Sequence, residues 1–149
     1  MKKIIALSSL FLICMYACNN ADKQAGKSEN DVDAARNFIQ AALDGNYDKA
    51  KTYILPDKAN QEYMAVYEAM PVSQEDRKGF AAASINIHNV SKINDTATII
   101  IYSNSFKNDP DTLRVLRING QWMVDLKYLY EHDEDSLQHK QPVLNDSLK

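Results

Sequence analysis

Cysteine is nearly missing from this chain. Cys14 and Cys18 are the only two, both near the N-terminus, so no disulfide, thiolate metal site or cysteine nucleophile can form among the residues that follow Cys18. Basic clusters are missing too, and acidic residues outnumber basic ones by 20 to 17. Phosphate neutralisation is the main source of affinity for nucleic acid, which is therefore excluded as a partner. The uncharged run 4–16 is too short for a permanent membrane-spanning helix, which needs about 20 apolar residues. Residues 19–30 contain no large apolar side chain and cannot bury enough surface to order themselves. Glycine and proline number four each, and most of them fall where the apolar period breaks.

What is present begins with an export signal. Lys2 and Lys3, the uncharged run and Ala17-Cys18 have the plan of a signal peptide, and M-Y-A-C at 15–18 resembles a bacterial lipoprotein signal. The resemblance implies cleavage after residue 17 and acylation of Cys18, which also removes Cys14. Several acyl chains, at about 0.8 kcal/mol per buried CH₂, hold a protein on a membrane far longer than one. The expected domains are a signal peptide (1–17), a flexible tether (18–30), one folded domain (31–130) and a disordered acidic tail (131–149). Twelve tether residues reach about 20 Å. Without Lys2 and Lys3 the 17 basic residues fall to 15 against 20 acidic ones, a net charge of −5.

Asn30 is a good N-cap, with Asp31 and Asp33 in the first turn where the helix dipole favours negative charge. Val32, Ala35, Phe38, Ile39, Ala42 and Leu43 recur at helical spacing, and Gly45 ends the helix. Asn46 caps a second helix with Tyr47, Ala50, Tyr53 and Ile54 on one face, stopped by Pro56. Asp57 caps a third with Ala59, Tyr63, Val66, Tyr67 and Met70 in stripe, stopped by Pro71. Residues 73–78 read as a polar connection of about one helical turn, closed by Gly79.

From Phe80 the period becomes two. Ile85, Ile87 and Val90 belong to one strand and 96–106 to a longer one, whose consecutive isoleucines 99–101 suggest burial on both faces. Asn119-Gly120 is the preferred centre of a type I′ turn, and it sets a hairpin register. Arg117 faces Trp122, Val115 faces Val124 and Leu113 faces Leu126 on the drier side. Ile118/Gln121, Leu116/Met123 and Arg114/Asp125 share the other.

Helices followed by an antiparallel meander make an α+β domain. The helix-glycine-helix stretch A-A-L-D-G-N-Y-D-K-A-K-T-Y (41–53) and the hairpin R-V-L-R-I-N-G-Q-W-M-V-D (114–125) resemble the nuclear-transport-factor-2-like (cystatin-like) superfamily. Within it they are most similar to the small lipoproteins of the Bacteroidota phylum classed as domain of unknown function 4878 (DUF4878). The resemblance covers about 31–128. It implies a cone of N-terminal helices packed on a curved antiparallel sheet, with an apolar pocket and dimerisation through the outer sheet face.

The first candidate site is a pocket in that cone: Trp122, Val124, Val115 and Leu113 on the drier hairpin face, Arg117 beside Trp122, and Tyr102 as a polar tip. The competing reading makes Trp122 a core plug with Arg117 stacked on it at the rim. Leu116, Ile118 and Met123 form a candidate interaction face. Enzymes of the superfamily set acid/base groups inside the cone. No such catalytic set is found here, because His88 points away from the core face and Asp125 pairs with Arg114. His132, Asp133, Glu134, Asp135 and His139 read as a solvated tail, so no metal site and no cofactor are expected. Asp followed by Ser/Thr and an apolar residue occurs four times, where about half a match arises by chance. These tripeptides resemble the O-glycosylation acceptor of exported proteins in the same phylum, at Thr96, Thr112, Ser136 and Ser147.

The expected function is that of a lipid-anchored envelope protein, at the outer membrane, acting as a binding module for a small apolar ligand or a protein. The alternative is a structural protein that dimerises or docks through the outer sheet face. A lyase- or isomerase-like enzyme ranks last.

Overall fold

The computed structural model describes residues 26–129. Four helices, α1 (Asp31–Leu43), α2 (Tyr47–Lys51), α3 (Lys58–Ala69) and α4 (Gln74–Ala81), precede four strands, β1 (Ile85–Asn94), β2 (Ala97–Asn104), β3 (Asp111–Ile118) and β4 (Gln121–Asp125). The strands form one antiparallel meander in the order β1-β2-β3-β4. The domain is therefore α+β, with the helices packed on a curved antiparallel sheet. Cys18, Ser136, Ser147, the histidines 132 and 139, the signal peptide and the acidic tail lie outside the described residues. Among the described residues no helix is long and apolar enough to cross a membrane.

α1 starts where its cap dictates. Asn30 Oδ1 accepts from the Asp33 backbone N–H at 2.9 Å, with Asp31 and Asp33 in the first turn, satisfying a donor that the helix leaves unpaired. It ends in a Schellman turn: Gly45, at φ +70°, donates to Ala42 O and Asn46 donates to Ala41 O. Only a residue without Cβ adopts that φ at little cost. The buried face is wider than the expected stripe, since Ala34 and Ala41 are covered as well as Ala35, Phe38, Ile39 and Ala42. α1 touches the sheet on one side and α2 on another. Against it lie Ile100, Leu113, Val115 and Val124, all fully buried. Each contributes about 1.5–3 kcal/mol by leaving water.

Asp31 sits at the first position of α1 and is itself buried, receiving the Thr98 hydroxyl at 2.6 Å from the inner face of β2. The expected tether also reaches into the fold: Gly26, at φ +88°, lies so close to the Thr52 carbonyl that a Cβ would meet it at 2.8 Å, and Asn37 Nδ2 donates to Ser28 Oγ at 3.3 Å. Gly26 and Ser28, which the sequence assigns to the tether, thus contact Thr52 and Asn37 of the folded part.

Three expectations about the helices are corrected. α2 stops at Lys51, and Tyr53–Leu55 runs extended instead, pairing parallel to β4 through Ile54 and Val124. Leu55 donates to Val124 O and Val124 donates to Tyr53 O, which covers the β4 edge. In α3 the buried side chains are Asn60 and Met64, while Val66 and Met70 are 54% and 46% exposed. The face is rotated because Asn60 is accommodated by hydrogen bonds that an apolar count cannot register. Residues 73–78 are more than one turn: Ser73 caps a two-turn helix, α4, that continues through Gly79 to Ala81. Gly79 is there for space, since a Cβ would overlap the Phe106 ring.

The hairpin follows its turn. Asn119 and Gly120 have φ +50° and +81°, and Arg117↔Trp122, Leu116↔Met123, Val115↔Val124 and Arg114↔Asp125 pair as expected. The ladder stops there. Residues 126–129 form a helical turn, so Leu113 and Leu126 are core neighbours without being a strand pair. Of the three isoleucines, Ile100 is sealed inside, and Ile99 and Ile101 are half-buried on the outer face.

Candidate functional site

α1 does not cover the whole inner face of the sheet. At the end where β2 finishes and β3 begins, a cleft of about 110 Å³ opens between the helices and the sheet. Phe38, Ile39, Ala42 and Leu43 of α1 form its floor, Tyr67 of α3 and Phe80 of α4 two walls, and Leu126 and Leu129 of the C-terminal turn a third. Tyr102, Asn104 and Asp111 complete the lining from the sheet.

The polar groups follow from strand register. Tyr102 and Asp111 are direct cross-strand partners on β2 and β3, and the Tyr102 hydroxyl donates to Asp111 Oδ2 at 3.2 Å. Asp111 Oδ1 accepts from the Thr112 backbone N–H at 2.7 Å. Asn104 Oδ1 accepts from the backbone N–H groups of Phe106 and Lys107 at 3.1 and 3.0 Å, shaping the loop that turns into β3. That loop holds α4 in place. Phe80 and Phe106 meet edge to face with centroids 5.1 Å apart, and the Lys107 ammonium lies over both rings. Lys107 Nζ also donates to Asp76 Oδ1 at 2.9 Å. This bond, helped by the Ser73 hydroxyl, holds the Asp76 carboxyl below its ordinary value.

The C-terminal wall rests on a buried amide. Asn60 Oδ1 accepts from the Leu126 N–H at 2.6 Å, and its Nδ2 donates to Asp57 Oδ2 at 2.8 Å and to Asp125 Oδ1 at 3.3 Å. Asp125, only 1% exposed, takes Arg114 Nε at 3.0 Å on its other oxygen. The Arg114 guanidinium also stands 5.1 Å from the Tyr128 ring centroid. Among the described residues no buried side-chain N or O atom lacks a partner.

Of the pocket residues expected from sequence, the structure places Tyr102 in the cleft and the rest elsewhere. Leu113, Val115 and Val124 are fully buried core and do not line the cleft. Trp122 packs against that core, and the Arg117 guanidinium sits 5.8 Å from its ring centroid. That pair is next to the Asn119-Gly120 turn, at the far end of β3 from Asp111. Of the candidate pocket set, Tyr102 lines this cleft, and the placement of Trp122 and Arg117 matches the rim reading. The remaining cleft residues were missed because they come from six separate elements. Asp111 alone carried a signal, opposite Tyr102 at the mouth of the hairpin.

The outer face carries Leu116 and Met123, both half-buried, and Ile118, 44% exposed, beside Ile99 and Ile101. His88 lies at a register shift in β1 and its Nε2 contacts Ser103 Oγ at 2.8 Å, so it faces away from the core. Thr96 is exposed in the β1–β2 turn, and its hydroxyl donates to Asn94 Oδ1. Thr112 is half-buried within β3, opposite Ile101.

No protein-family model matches the chain, and no curated protein matches it. Among solved structures it is similar to the crystal structure of an NTF-2-like protein of unknown function from Shewanella oneidensis MR-1. The two are 14% identical with a TM-score of 0.46, over 62% of this chain and 89% of that one.

Proposed function

We propose that this chain is a lipid-anchored envelope protein of the nuclear-transport-factor-2-like kind, related to the DUF4878 lipoproteins of Bacteroidota, and that its domain binds a small molecule in the cleft. The observation that carries the binding reading is the cleft itself: apolar walls from α1, α3, α4 and the C-terminal turn around the Tyr102–Asp111 pair. Apolar lining with a few placed polar groups is the usual form of a ligand site, although at about 110 Å³ this one is smaller than the roughly 300–1,000 Å³ of drug-sized sites. The ligand, or the part of it that enters, is accordingly small. The anchor reading rests on the residues up to Cys18. Of the acceptor-like tripeptides, Thr96 presents an exposed turn suited to glycosylation, whereas Thr112 is held in the ladder.

Native mass spectrometry of the protein isolated without denaturation tests the cleft. A small mass released on activation, and lost in Ala42→Leu, supports the reading; the same mass retained in Ala42→Leu places the ligand elsewhere. A second reading, a dimer or partner surface on the outer face, is favoured by the exposure of Ile118 beside half-buried Leu116 and Met123. Sedimentation of Leu116→Glu and Met123→Glu tests it, and an unchanged oligomeric state removes it.

A further inference from the structure

Opposite the cleft, at the other end of the sheet, two turns present apolar side chains to solvent. The register sets Asn94, Ala97, Leu116 and Met123 in line across the four strands. The β1–β2 turn and the Asn119-Gly120 turn therefore stand at one end, tied where the Arg117 N–H donates to Thr96 O at 2.8 Å. Ile93, beside the first turn, is 63% exposed, and Ile118, beside the second, is 44% exposed. Ile93 falls at a register shift between Lys92 and Asn94, and a bulge of this kind takes a residue out of the ladder and re-aims its side chain. Lys92, Asp95 and Arg117 are the charged residues of the two turns and their flanks, all exposed. Their charge nearly cancels, so a partner is chosen by apolar contact, while the long basic stems can lie along apolar surface with their heads in water. Trp122, half-buried beside Arg117, adds an amphipathic ring of the kind favoured at membrane–water boundaries.

The course of the chain selects the partner. Asp31, the first residue of α1, bonds Thr98 next to the β1–β2 turn, so the polypeptide enters α1 at this same end. Gly26 already packs against Thr52 and is only eight positions after Cys18. Eight residues span at most about 29 Å however they are arranged. That is close to the diameter of a domain of about 100 residues, whose radius of gyration is about 13 Å. With Cys18 acylated, the domain cannot leave the bilayer by more than about its own width, and weak contacts gain from that effective concentration. We propose that this end of the sheet is a membrane-contact surface, with Ile93 and Ile118 entering the boundary of the lipid bilayer and the cleft end directed away from it. This contact rests on the lipid-anchor reading of Cys18.

Trp122 is the single tryptophan and reports from this end. The native acylated protein is reconstituted into phosphatidylcholine vesicles, with and without bromine high on the acyl chains, and vesicle flotation is followed together with Trp122 emission. The protein is expected to float and to lose emission in the brominated vesicles. Ile93→Asp combined with Ile118→Asp should float equally and recover that emission. A floating protein whose emission ignores bromine, or a double variant quenched as strongly as the parent, overturns the contact and leaves the anchor standing. A protein that does not float removes the anchor reading and the contact with it. If the aspartate variant does not fold, Ile93→Ser with Ile118→Ser makes the same comparison.

Discussion

Removing the Asn60 side chain should destabilise the domain far more than its single amide suggests. In Asn60→Leu the branching and the number of heavy atoms are kept, but the Leu126 N–H, received at 2.6 Å in a fully buried setting, has no acceptor. An orphaned buried donor costs about 1–3 kcal/mol. Asp125 loses a donor at 3.3 Å, a long bond, so this adds under about 1 kcal/mol. Asp57, with its side chain 44% exposed, finds water in place of Nδ2 and adds little. The sum is about 1–4 kcal/mol, and from its centre near about 2.5, at roughly 4–8 °C per kcal/mol in a domain of this size, the melting temperature falls by about 10–20 °C. Urea unfolding followed by far-UV circular dichroism and by the fluorescence of Trp122, the single tryptophan, measures it. Because Leu126 and Leu129 line the cleft, the variant should also weaken ligand retention. A loss below about 0.5 kcal/mol in Asn60→Leu would refute the reasoning.

Gly79→Ala pushes the Phe106 ring, 37% exposed, off Phe80, but Ala also gains about 0.5–1 kcal/mol in the interior of α4, so the net change should stay within about 1 kcal/mol, read by denaturation. Arg117→Ala should cost under about 1 kcal/mol and leave ligand binding unchanged, since the pair is an exposed cation–π contact away from the cleft. Asp57 caps α3, and the Asn60 backbone N–H holds its carboxyl below 3.8. A lowered folded value means the cap stabilises fully above the unfolded value and fades as pH falls through the folded one. The stability gap between the parent and Asp57→Ala, about 1 kcal/mol at neutral pH, should hold down to about pH 5 and shrink below about pH 4. Acid-titrated thermal melts of both proteins show whether it does.

Local chemistry made part of this fold legible. Asn119-Gly120 dictated a turn with two positive φ values and, by counting, four strand pairs from Arg114↔Asp125 to Arg117↔Trp122. Asn30, Asn46 and Asp57 are caps whose side chains accept from the third residue along, as their residue types favour. Apolar counting failed where polar groups are buried. In α3 it placed Tyr63 and Tyr67 correctly but missed Asn60, a polar residue that is an interior hub, and put Val66 and Met70, both exposed, on the buried stripe. It ended α4 at Gly79 because nothing near that glycine announces that Phe106 needs its space.

The cleft was hidden for a different reason. Its position depends on which end of the sheet α1 leaves open, and no periodicity within one element encodes that. Trp122 drew attention as the largest apolar side chain of the hairpin, but it packs against the buried core that includes Val115 and Val124 and does not line the cleft. Tyr102 was legible as a polar tip on the inner face, and Asp111 follows from it once the β2–β3 register is known.

Amide chemical-shift mapping by NMR, with the small molecule released from the native protein added in steps, tests most directly that the cleft is the binding site. The account predicts shifts concentrated at Leu43, Tyr67, Phe80, Tyr102, Asp111 and Leu129, with Arg117 and Trp122 unmoved. Shifts centred on Arg117 and Trp122, or none anywhere, would contradict it.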